Sequence, residues 1–550
     1  MKSKNLMILI LILLSELVYS QEMNFAWSKI TGTSGNNKGT SIISDKNGYL
    51  FVAGEFNADF IYNDNTITGL GQNNIFILKL DLAGNLIWSK CFGSNSNATI
   101  QQICFDTSMN VVCTGTFSGS LLLNDTAINS IGGSDIFILK IKNTGETMSV
   151  LTDGGTGNEN SNALCVDKKN NIYVCGSFKG SATFGNQSLT SSAYWQYTPW
   201  GDSVYTYNEN GFFAKYNSQN ECLFAKQICK DRSDLYSIVS DTSDNIFTTG
   251  FFESYNDLTD TIATEIGNFL VFNYNSEGKL INLIQEGSNN NYIRGNSLAI
   301  DNENNVLIAG YIGCHNCVFG DSLLPLSYND AFLVKYDNSG TMKWINLIGQ
   351  YDGDYDGNEN SGNSIIVDKY DNIILSGYFD AIESKDLVVI GNNSSIDFLI
   401  MKFNKNGSIT NIGTHGYPSW DSGESVTIDT SNNIYFTGYT FLGAASNQYP
   451  SYVFIGRVDS MPTLGIESME MHENITIYPN PTHGSFYVDL PGDGNKSAII
   501  SVSNVEGKIV LLKELPQKHN EIIIKDYKPG LYIIKIQVGY VIYSKKLLIE

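Results

Sequence analysis

The chain has 550 residues, 42% of them hydrophobic and 12% aromatic, so it is long enough for more than one domain with a large core. Its formal net charge is −22 at pH 7. A surface this acidic repels nucleic acid and anionic membranes, so the composition excludes both as expected partners.

The first 20 residues have the layout of a secretory signal peptide. Lys2 and Lys4 precede an uncharged apolar run over residues 6–14, and the small residue Ser20 precedes Gln21. The run is too short to span a bilayer about 30 Å thick, which argues against a membrane anchor. We therefore expect residues 1–20 to be removed and the protein to be exported.

A repeated pattern follows, in which an aspartate that ends an apolar run is followed nine residues later by a glycine. The seven aspartates are Asp45, Asp106, Asp167, Asp241, Asp301, Asp368 and Asp429, and the matching glycines are Gly54, Gly115, Gly176, Gly250, Gly310, Gly377 and Gly438. The copies are about 64 residues apart, which is too long for a solenoid rung and suits a propeller blade with long loops.

Each copy predicts four antiparallel strands and no helix. In the clearest copy, SIIVDKYDNIILSGYF, the aspartate and the asparagine four residues later suit a tight turn between two strands. A third strand follows in runs such as NIFILKLD and DFLIMKFN, and a fourth carries a tryptophan in LIWSKCFG. The regular aspartates therefore indicate turn structure and not catalysis.

The seventh copy lacks its fourth strand, whereas FAWSKITG, residues 25–32, resembles a fourth strand with no copy before it. Pairing of residues 25–30 beside residues 452–458 would cover an open sheet edge. The sequence thus predicts an all-β fold with a seven-bladed β-propeller over residues 24–460, in which the N-terminal strand closes the seventh blade. The pattern GNENSGNSIIVDKYDNIILSGYF resembles the secreted β-propeller repeat family known as SBBP, which implies a propeller but no particular activity.

Several cysteines fall in the predicted strands. Two pairs flank predicted hairpins: Cys104 with Cys113, and Cys165 with Cys175. They could pair across the hairpins after export, or they could be small buried strand residues. A local disulfide is expected between Cys314 and Cys317.

The third copy carries an insertion, SSAYWQYTPWGDSVYTYNENG, over residues 191–211, between its second and third strands. We predict Tyr194, Trp195, Tyr197 and Trp200 as ligand-binding residues, because aromatic faces in a polar loop stack on sugar rings or dock the side chains of a partner. The alternative is a loop that packs its aromatic side chains against one another.

A second irregular segment, DGDYDGNEN over residues 352–360, begins like a calcium loop. Asp352, Asp354 and Asp356 are the predicted ligands, and calcium is the predicted cofactor. Asn363 stands where such loops have a bidentate glutamate, so a solvated acidic turn is the alternative. Because strand direction alternates within a blade, both irregular segments are expected on one rim.

The sequence offers little material for catalysis. Histidine is scarce, so there is little material for histidine general-base chemistry. A sialidase needs a cluster of arginines to bind its carboxylate substrate, and the chain has only Arg232, Arg294 and Arg457. Paired carboxylates for glycoside hydrolysis stay possible, since acidic residues abound. The favoured function is a non-catalytic binding or adhesion module for glycan or protein, and the alternative is a secreted carbohydrate-active enzyme with carboxylates at the channel mouth.

Beyond residue 460 the composition changes. Residues 461–474 resemble a linker, and residues 475–550 alternate apolar and polar positions between turns, which predicts a small Ig-like β-sandwich.

The tail resembles the type A C-terminal sorting domain of type IX (Por) secretion cargo, which is found in Bacteroidota. The resemblance is carried by Tyr478, Pro479, Asn480, Pro481, Gly484, Gly507, Pro529, Gly530, Tyr532, Lys545 and Lys546. It implies that the type IX machinery is a partner, that the protein crosses the outer membrane, and that the tail is then removed. The mature protein would be displayed on the cell surface or released.

Overall fold

The computed structural model describes most of the chain after residue 20. The described ranges are 21–23, 25–32, 35–123, 126–197, 203–230, 232–253, 269–287, 292–314, 317–320, 322–324, 327–349, 360–379, 381–384, 387–390, 396–415, 420–441, 450–458, 476–490, 498–504, 509–515, 519–523, 528–538 and 541–549. These residues form strands, turns and loops and contain no helix, so the described fold is all-β. Accordingly, none of them belongs to a helix long and apolar enough to cross a membrane.

The chain divides into two compact units, Met1–Met461 and Pro462–Glu550. The strands of the first unit up to the second repeat are β1 (Gln21–Glu22), β2 (Phe25–Thr31), β3 (Asn37–Ser44), β4 (Tyr49–Phe56), β5 (Phe60–Tyr62), β6 (Asn65–Ile67), β7 (Asn73–Asp81), β8 (Leu86–Ser94), β9 (Asn97–Phe105), β10 (Val111–Leu123), β11 (Thr126–Ile141) and β12 (Thr147–Gly155).

The third and fourth repeats contain β13 (Glu159–Val166), β14 (Ile172–Lys179), β15 (Ser181–Phe184), β16 (Gln187–Thr190), β17 (Ala193–Tyr197), β18 (Ser203–Tyr207), β19 (Glu209–Tyr216), β20 (Cys222–Gln227), β21 (Ser233–Ser240), β22 (Ile246–Phe252), β23 (Phe269–Tyr274) and β24 (Leu280–Glu286).

The last three repeats contain β25 (Tyr292–Ile300), β26 (Val306–Cys314), β27 (Val318–Phe319), β28 (Ser322–Leu323), β29 (Ser327–Tyr336), β30 (Met342–Ile348), β31 (Ser361–Val367), β32 (Ile373–Phe379), β33 (Ala381–Ser384), β34 (Leu387–Ile390), β35 (Asp397–Phe403), β36 (Ile409–His415), β37 (Asp421–Ile428), β38 (Ile434–Phe441) and β39 (Ser451–Val458).

Each repeat forms four antiparallel strands that pair in sequence order, except that the N-terminal β2 is the fourth strand of the seventh set. The described residues contain seven such sets: β3-β4-β7-β8, β9-β10-β11-β12, β13-β14-β19-β20, β21-β22-β23-β24, β25-β26-β29-β30, β31-β32-β35-β36 and β37-β38-β39-β2. Repetition of small antiparallel sheets in this manner is typical of propeller-like proteins.

The turn after the first strand of each repeat is held by its aspartate. In the third repeat, Asp167 Oδ1 accepts the backbone N–H groups of Lys169 and Asn171 at 2.9 and 2.8 Å, and Asn171 Nδ2 donates to Oδ2 at 2.7 Å. Asn170, between them, has φ 62°, a left-handed conformation that asparagine adopts more readily than most residues. The same backbone contacts recur at Asp45, Asp106, Asp241, Asp301, Asp368 and Asp429. The turn interpretation of these aspartates is confirmed.

Neighbouring repeats are joined through their first strands, and the seventh is joined to the first. The backbone N–H of Ile103 in β9 donates to Ser41 Oγ in β3 at 3.2 Å, and equivalent bonds reach Ser237, Ser297 and Ser364 from the next repeat in each case. The N–H of Ile42 in β3 donates in the same way to Ser425 Oγ in β37 at 3.1 Å. One buried cluster also combines side chains of the first repeat with Tyr435, Val453 and Ile455 of the seventh.

The N-terminal strand β2 supplies the fourth strand of the seventh repeat. It pairs antiparallel with β39, with Phe25 opposite Val458 and Thr31 opposite Val453. This is the pairing that the sequence predicts for residues 25–30. The short strand β1 pairs in parallel with β36 of the sixth repeat, which the sequence analysis did not anticipate.

Short hairpins occupy several of the long connections between second and third strands, where the sequence predicts only loops. They are β5-β6, β15-β16, β27-β28 and β33-β34. Three of them carry a buried phenylalanine that contacts another on a main sheet: Phe60 with Phe76, Phe184 with Phe212, and Phe319 with Phe332. Burial of these rings explains why the connections fold back.

Cys104, Cys113, Cys165 and Cys175 are free thiols, so of the two alternatives for these cysteines the cross-hairpin disulfides are wrong and unpaired strand residues are confirmed. Cys113 lies opposite Ile103, so Cys104 is one residue out of register and faces the other side of the sheet. Cys175 lies opposite Ala163, two residues from Cys165, which is too far for a disulfide. Cys317 is disulfide-bonded.

The second unit contains two antiparallel sheets around one core. Its strands are β40 (Thr476–Tyr478), β41 (Ser485–Asp489), β42 (Ala498–Asn504), β43 (Ile509–Leu515), β44 (His519–Ile523), β45 (Gly530–Val538) and β46 (Val541–Ile549). One sheet has the order β40-β41-β44 and the other β43-β42-β45-β46. Phe486 and Val488 of the first sheet pack with Ile500, Ile534 and Leu547 of the second.

Candidate functional site

The aromatic insertion of the third repeat forms a separate hairpin. Strands β17 and β18 pair antiparallel, with Trp195 opposite Tyr205 and Ala193 opposite Tyr207. The ring of Tyr205 lies 5.1 Å from that of Trp195 and 6.0 Å from that of Tyr207. The hairpin is therefore an ordered element that presents a row of touching rings.

The rings of Trp195, Tyr205 and Tyr207 lie on one face of the hairpin and that of Tyr194 on the other, and all four remain open to solvent. Trp195 is 64% exposed, Tyr205 54%, Tyr194 45% and Tyr207 40%. A loop that packed its aromatic side chains away would not leave these four side chains in water, and exposed apolar surface of this kind commonly marks an interaction site. The side chain of Tyr197 and the whole of Trp200 lie outside the described residues.

A cavity of about 750 Å³ lies beside the hairpin. Tyr194 and Tyr207 line it together with the amide side chains of Asn158, Asn160 and Asn208. Its charged lining residues are Lys179, Glu209, Arg232 and Glu253. Aromatic faces combined with a few convergent polar groups are typical of small-ligand sites.

The cavity is built at one rim of the first unit, where the third and fourth repeats meet. Asn158 and Arg232 precede the first strands of these repeats, whereas Lys179 ends the second strand of one and Glu253 follows the second strand of the other. One kind of connection joins successive repeats and the other joins the second strand of a repeat to the third. Because strand direction alternates within a repeat, both kinds emerge on the same face. The expectation of a shared rim also included Asp352, Asp354 and Asp356, but these residues lie outside the described ranges.

Glu209 lines the cavity, and a second carboxylate, Asp234, lies near it. Glu209 Oε1 accepts hydrogen bonds from Ser177 Oγ at 2.9 Å and Asn160 Nδ2 at 3.4 Å. Asp234 Oδ1 accepts one from Asn162 Nδ2 at 2.7 Å. Burial raises the pKa of Asp234 to about 7, and the nearby Glu209 charge adds to the rise. Both acids are thus positioned by neighbouring polar side chains.

The sequence predicts the aromatic residues of this site but not its polar ones. A signal for Arg232 was available, because Asn36, Asn97 and Asn158 occupy its place in the first three copies. The other charged residues of the cavity do not stand out in this way from a repeated residue, because loop positions vary between repeats. Among the described residues, no three His, Cys, Asp or Glu side chains are grouped as metal ligands.

In the second unit, the sorting-motif residues contact the C-terminal strand. Asn480 Nδ2 donates to the Lys546 carbonyl at 2.6 Å, and the N–H of Leu548 donates to Asn480 Oδ1 at 2.9 Å. Gly530 lies opposite Ile549, and Tyr532 Oη donates to the Lys528 carbonyl at 2.9 Å. Gly507 and the side chain of Lys545 lie outside the described residues. The motif therefore holds the last strand in place.

Comparison with known proteins identifies this second unit. Residues 476–550 match the secretion system C-terminal sorting domain. The protein is secreted by the type IX system to the cell surface or the extracellular space, and its C-terminal domain is the part that interacts with the secretion machinery.

Other likenesses are more distant. The chain is 27% identical over 232 residues to an uncharacterized WD repeat-containing protein of Acanthamoeba polyphaga mimivirus, a match that covers 36% of this chain and 16% of that protein. The chain thus spans about a sixth of that relative's length.

Two solved structures are also similar. A protein of unknown function from Dyadobacter fermentans is 8% identical, with 80% of this chain and 99% of that chain covered and a TM-score of 0.37. A gluconolactonase of Xanthomonas campestris is 12% identical, with 64% and 90% covered and a TM-score of 0.27. With TM-scores this low, neither likeness carries an argument about fold or function.

Proposed function

We propose that this secreted protein is a non-catalytic glycan-binding module and that the glycan lies across the aromatic hairpin and the adjoining cavity. The observation that carries the proposal is the position of Tyr194 and Tyr207, which are exposed and line a cavity together with asparagine side chains. Sugars present apolar ring faces and peripheral hydroxyls, which suit aromatic rings and amide groups respectively. The site has both.

The scaffold that we propose is a seven-bladed β-propeller of the SBBP kind, followed by an Ig-like sandwich. Support comes from the seven four-stranded sets, from the bond between Ile42 and Ser425 that joins the last set to the first, and from the pairing of β2 with β39. A ring closed in this way leaves no repeat at an unpaired end. Its rim is a rigid platform on which loops carry binding residues.

A glycan array tests the proposal directly. The purified protein is expected to bind a restricted set of glycans, and to release them unchanged. A protein that bound no glycan on the array would overturn the proposal, whatever its fold.

Glycoside hydrolysis is a second candidate, favoured by one observation. The acids Glu209 and Asp234 lie close enough for the charge of one to raise the pKa of the other, and Glu209 lines the cavity. Two neighbouring carboxyl groups are the elements of a glycosidase. Incubation of each array ligand with the protein, followed by measurement of new reducing ends, separates the candidates. Turnover that Glu209→Gln abolishes would establish the enzyme, and intact ligands would leave the binding module.

A further inference from the structure

The arginines of the chain are unusually placed. There are three in 550 residues, and the net charge is −22, so acidic partners for them are abundant in the sequence. Arg232 and Arg294 nevertheless both lie at the rim that carries the cavity, before and within the first strands of the fourth and fifth repeats. This concentration suggests a local role for their charge.

Arg232 lines the cavity and is exposed. Its guanidinium lies 5.7 Å from the centre of the Phe251 ring. It forms no ion pair with any residue in the described ranges. The charge of Arg232 acts on Asp234, the acid closest to it in sequence among these residues, but the two form no ion pair, and Asp234 accepts a hydrogen bond from Asn162.

Arg294 is the register partner of the same phenylalanine, since β22 and β25 pair with Phe251 opposite Arg294. Its guanidinium lies 5.3 Å from the centre of the Tyr311 ring. Its Nε is buried, and no hydrogen-bond acceptor in the described part of the chain meets it. Phe251 thus neighbours both arginines, and neither guanidinium forms an ion pair with a carboxylate of the described residues.

The rings beneath these arginines form a continuous surface. The centre of the Tyr292 ring is 5.0 Å from that of Phe251 and 5.6 Å from that of Tyr311. A guanidinium that rests on an aromatic face keeps its planar edge of N–H donors available, and that edge matches a carboxylate in a bidentate fashion. The two guanidinium groups can therefore donate hydrogen bonds to an anionic group of the ligand.

We infer that Arg232 and Arg294 bind the carboxylate of an acidic sugar, while the neutral sugars attached to it lie against Tyr194 and Tyr207. The inference rests on the proposed glycan-binding function and specifies its ligand. Glu209 and Glu253, which share the cavity lining, accept hydrogen bonds from sugar hydroxyls.

The ligand carries one carboxylate and is not a polyanion. The overall charge of −22 repels a long anionic chain. A single carboxylate interacts mainly with the two arginines beside it, because physiological salt screens charges that are more than about 8 Å away. An oligosaccharide that ends in one uronic acid satisfies both conditions.

The test uses matched pairs of oligosaccharides. Each pair is a neutral oligosaccharide and the same molecule with its terminal hexose oxidised at C6 to the uronic acid. Binding of both members is measured with the wild-type protein, with Arg232→Gln and with Arg294→Gln. The control variant is Lys142→Gln, which removes an exposed cation from a turn that joins β11 to β12.

The acidic member is expected to bind about tenfold more tightly than the neutral one, and each arginine variant should remove this difference. Lys142→Gln should retain it. Because Arg232 is exposed, its variant folds normally and keeps the result interpretable even if Arg294→Gln is unstable. Raising the salt concentration should weaken binding of the acidic member only.

Equal binding of the two members by the wild-type protein would overturn the inference and leave the proposed glycan-binding function standing. Binding of neither member of any pair would overturn both. A short polyglutamate peptide that bound as tightly as the uronic acid would also contradict the inference, because the site would then recognise any carboxylate.

Discussion

Trp27 Nε1 donates a hydrogen bond to the carbonyl oxygen of Leu82, 3.3 Å away. Trp88 makes the same bond to Asn143 at 3.1 Å. In each case a tryptophan on the fourth strand of one repeat reaches the last turn of the next repeat. Trp27 thus does at the junction of the last and first repeats what Trp88 does at an interior junction.

Substitution of Trp27 tests this closure. Its half-buried ring packs against Tyr435, with centres 6.4 Å apart, and against the cluster shared by the first and last repeats. Trp27→Ala should lower the free energy of unfolding by about 2 kcal/mol, because buried aromatic contacts are lost. Urea denaturation measures the change, and Trp195→Ala, which removes an exposed ring, is the control. Equal stabilities of the two variants would contradict closure through β2.

The buried acid Glu159 predicts a pH dependence of stability. Burial raises its pKa to about 7 from 4.5, Gly155 donates a backbone N–H to its Oε2 at 2.6 Å, and its Oε1 has no hydrogen-bond partner among the described residues. Above pH 7 the folded protein must hold this charge, whereas below pH 4.5 both folded and unfolded chains are protonated. The wild type therefore loses stability as pH rises from 4.5 to 7.

Glu159→Gln should remove that loss. At pH 8 the variant is expected to be more stable than the wild type by about 3 kcal/mol, and the difference should vanish near pH 4. Thermal melts across this range measure the effect. The control, Glu146→Gln, changes an exposed glutamate that pairs with Lys142 and should show no such trend. A constant difference between Glu159→Gln and wild type at all pH values would refute the explanation.

Calcium binding at Asp352, Asp354 and Asp356 stays a prediction. An ion that binds only the folded state stabilises it by mass action, so millimolar calcium should raise the melting temperature. The rise should be smaller in an Asp354→Asn, Asp356→Asn double variant. If both proteins respond equally, the segment is a solvated acidic turn.

Export depends on the second unit. In a host with a type IX system, removal of residues 476–550 should leave a folded first unit in the periplasm, and fusion of these residues to an unrelated exported protein should carry that protein outside. Asn480→Ala should reduce the exported fraction, because two hydrogen bonds that hold the last strand are lost. Fractionation of cells measures all three. Export of the truncated chain would contradict the role of this unit.

Much of the architecture could be predicted because it depends on local chemistry that repeats. Asp167 and Asn171 specify a turn by their own side chains, and six further copies repeat the signal. The unpaired strand at Trp27 was recognisable because its sequence matched the strand at Trp88 and the last repeat lacked one.

The cavity was harder to predict, because residues far apart in sequence meet there. Tyr194 lies on the inserted hairpin, Glu209 begins β19, and Arg232 lies on the connection between the third and fourth repeats, and no repeat constrains what these segments bring together. The cysteines show a related limit, since spacing alone does not reveal that Cys104 and Cys113 face opposite sides of a sheet. The cavity and the cysteine positions become visible only when the pairing of the strands is known.

The most direct test of glycan binding at this rim is the affinity of the strongest array glycan for a Tyr194→Ala, Tyr207→Ala variant. Isothermal titration should show binding weakened by at least about tenfold, because the two rings that face the sugar are gone. Tyr370→Ala, which removes a 65% exposed tyrosine from the turn between β31 and β32, should bind like the wild type. Unchanged affinity in the double variant would contradict the account, because the glycan would then lie elsewhere on the protein.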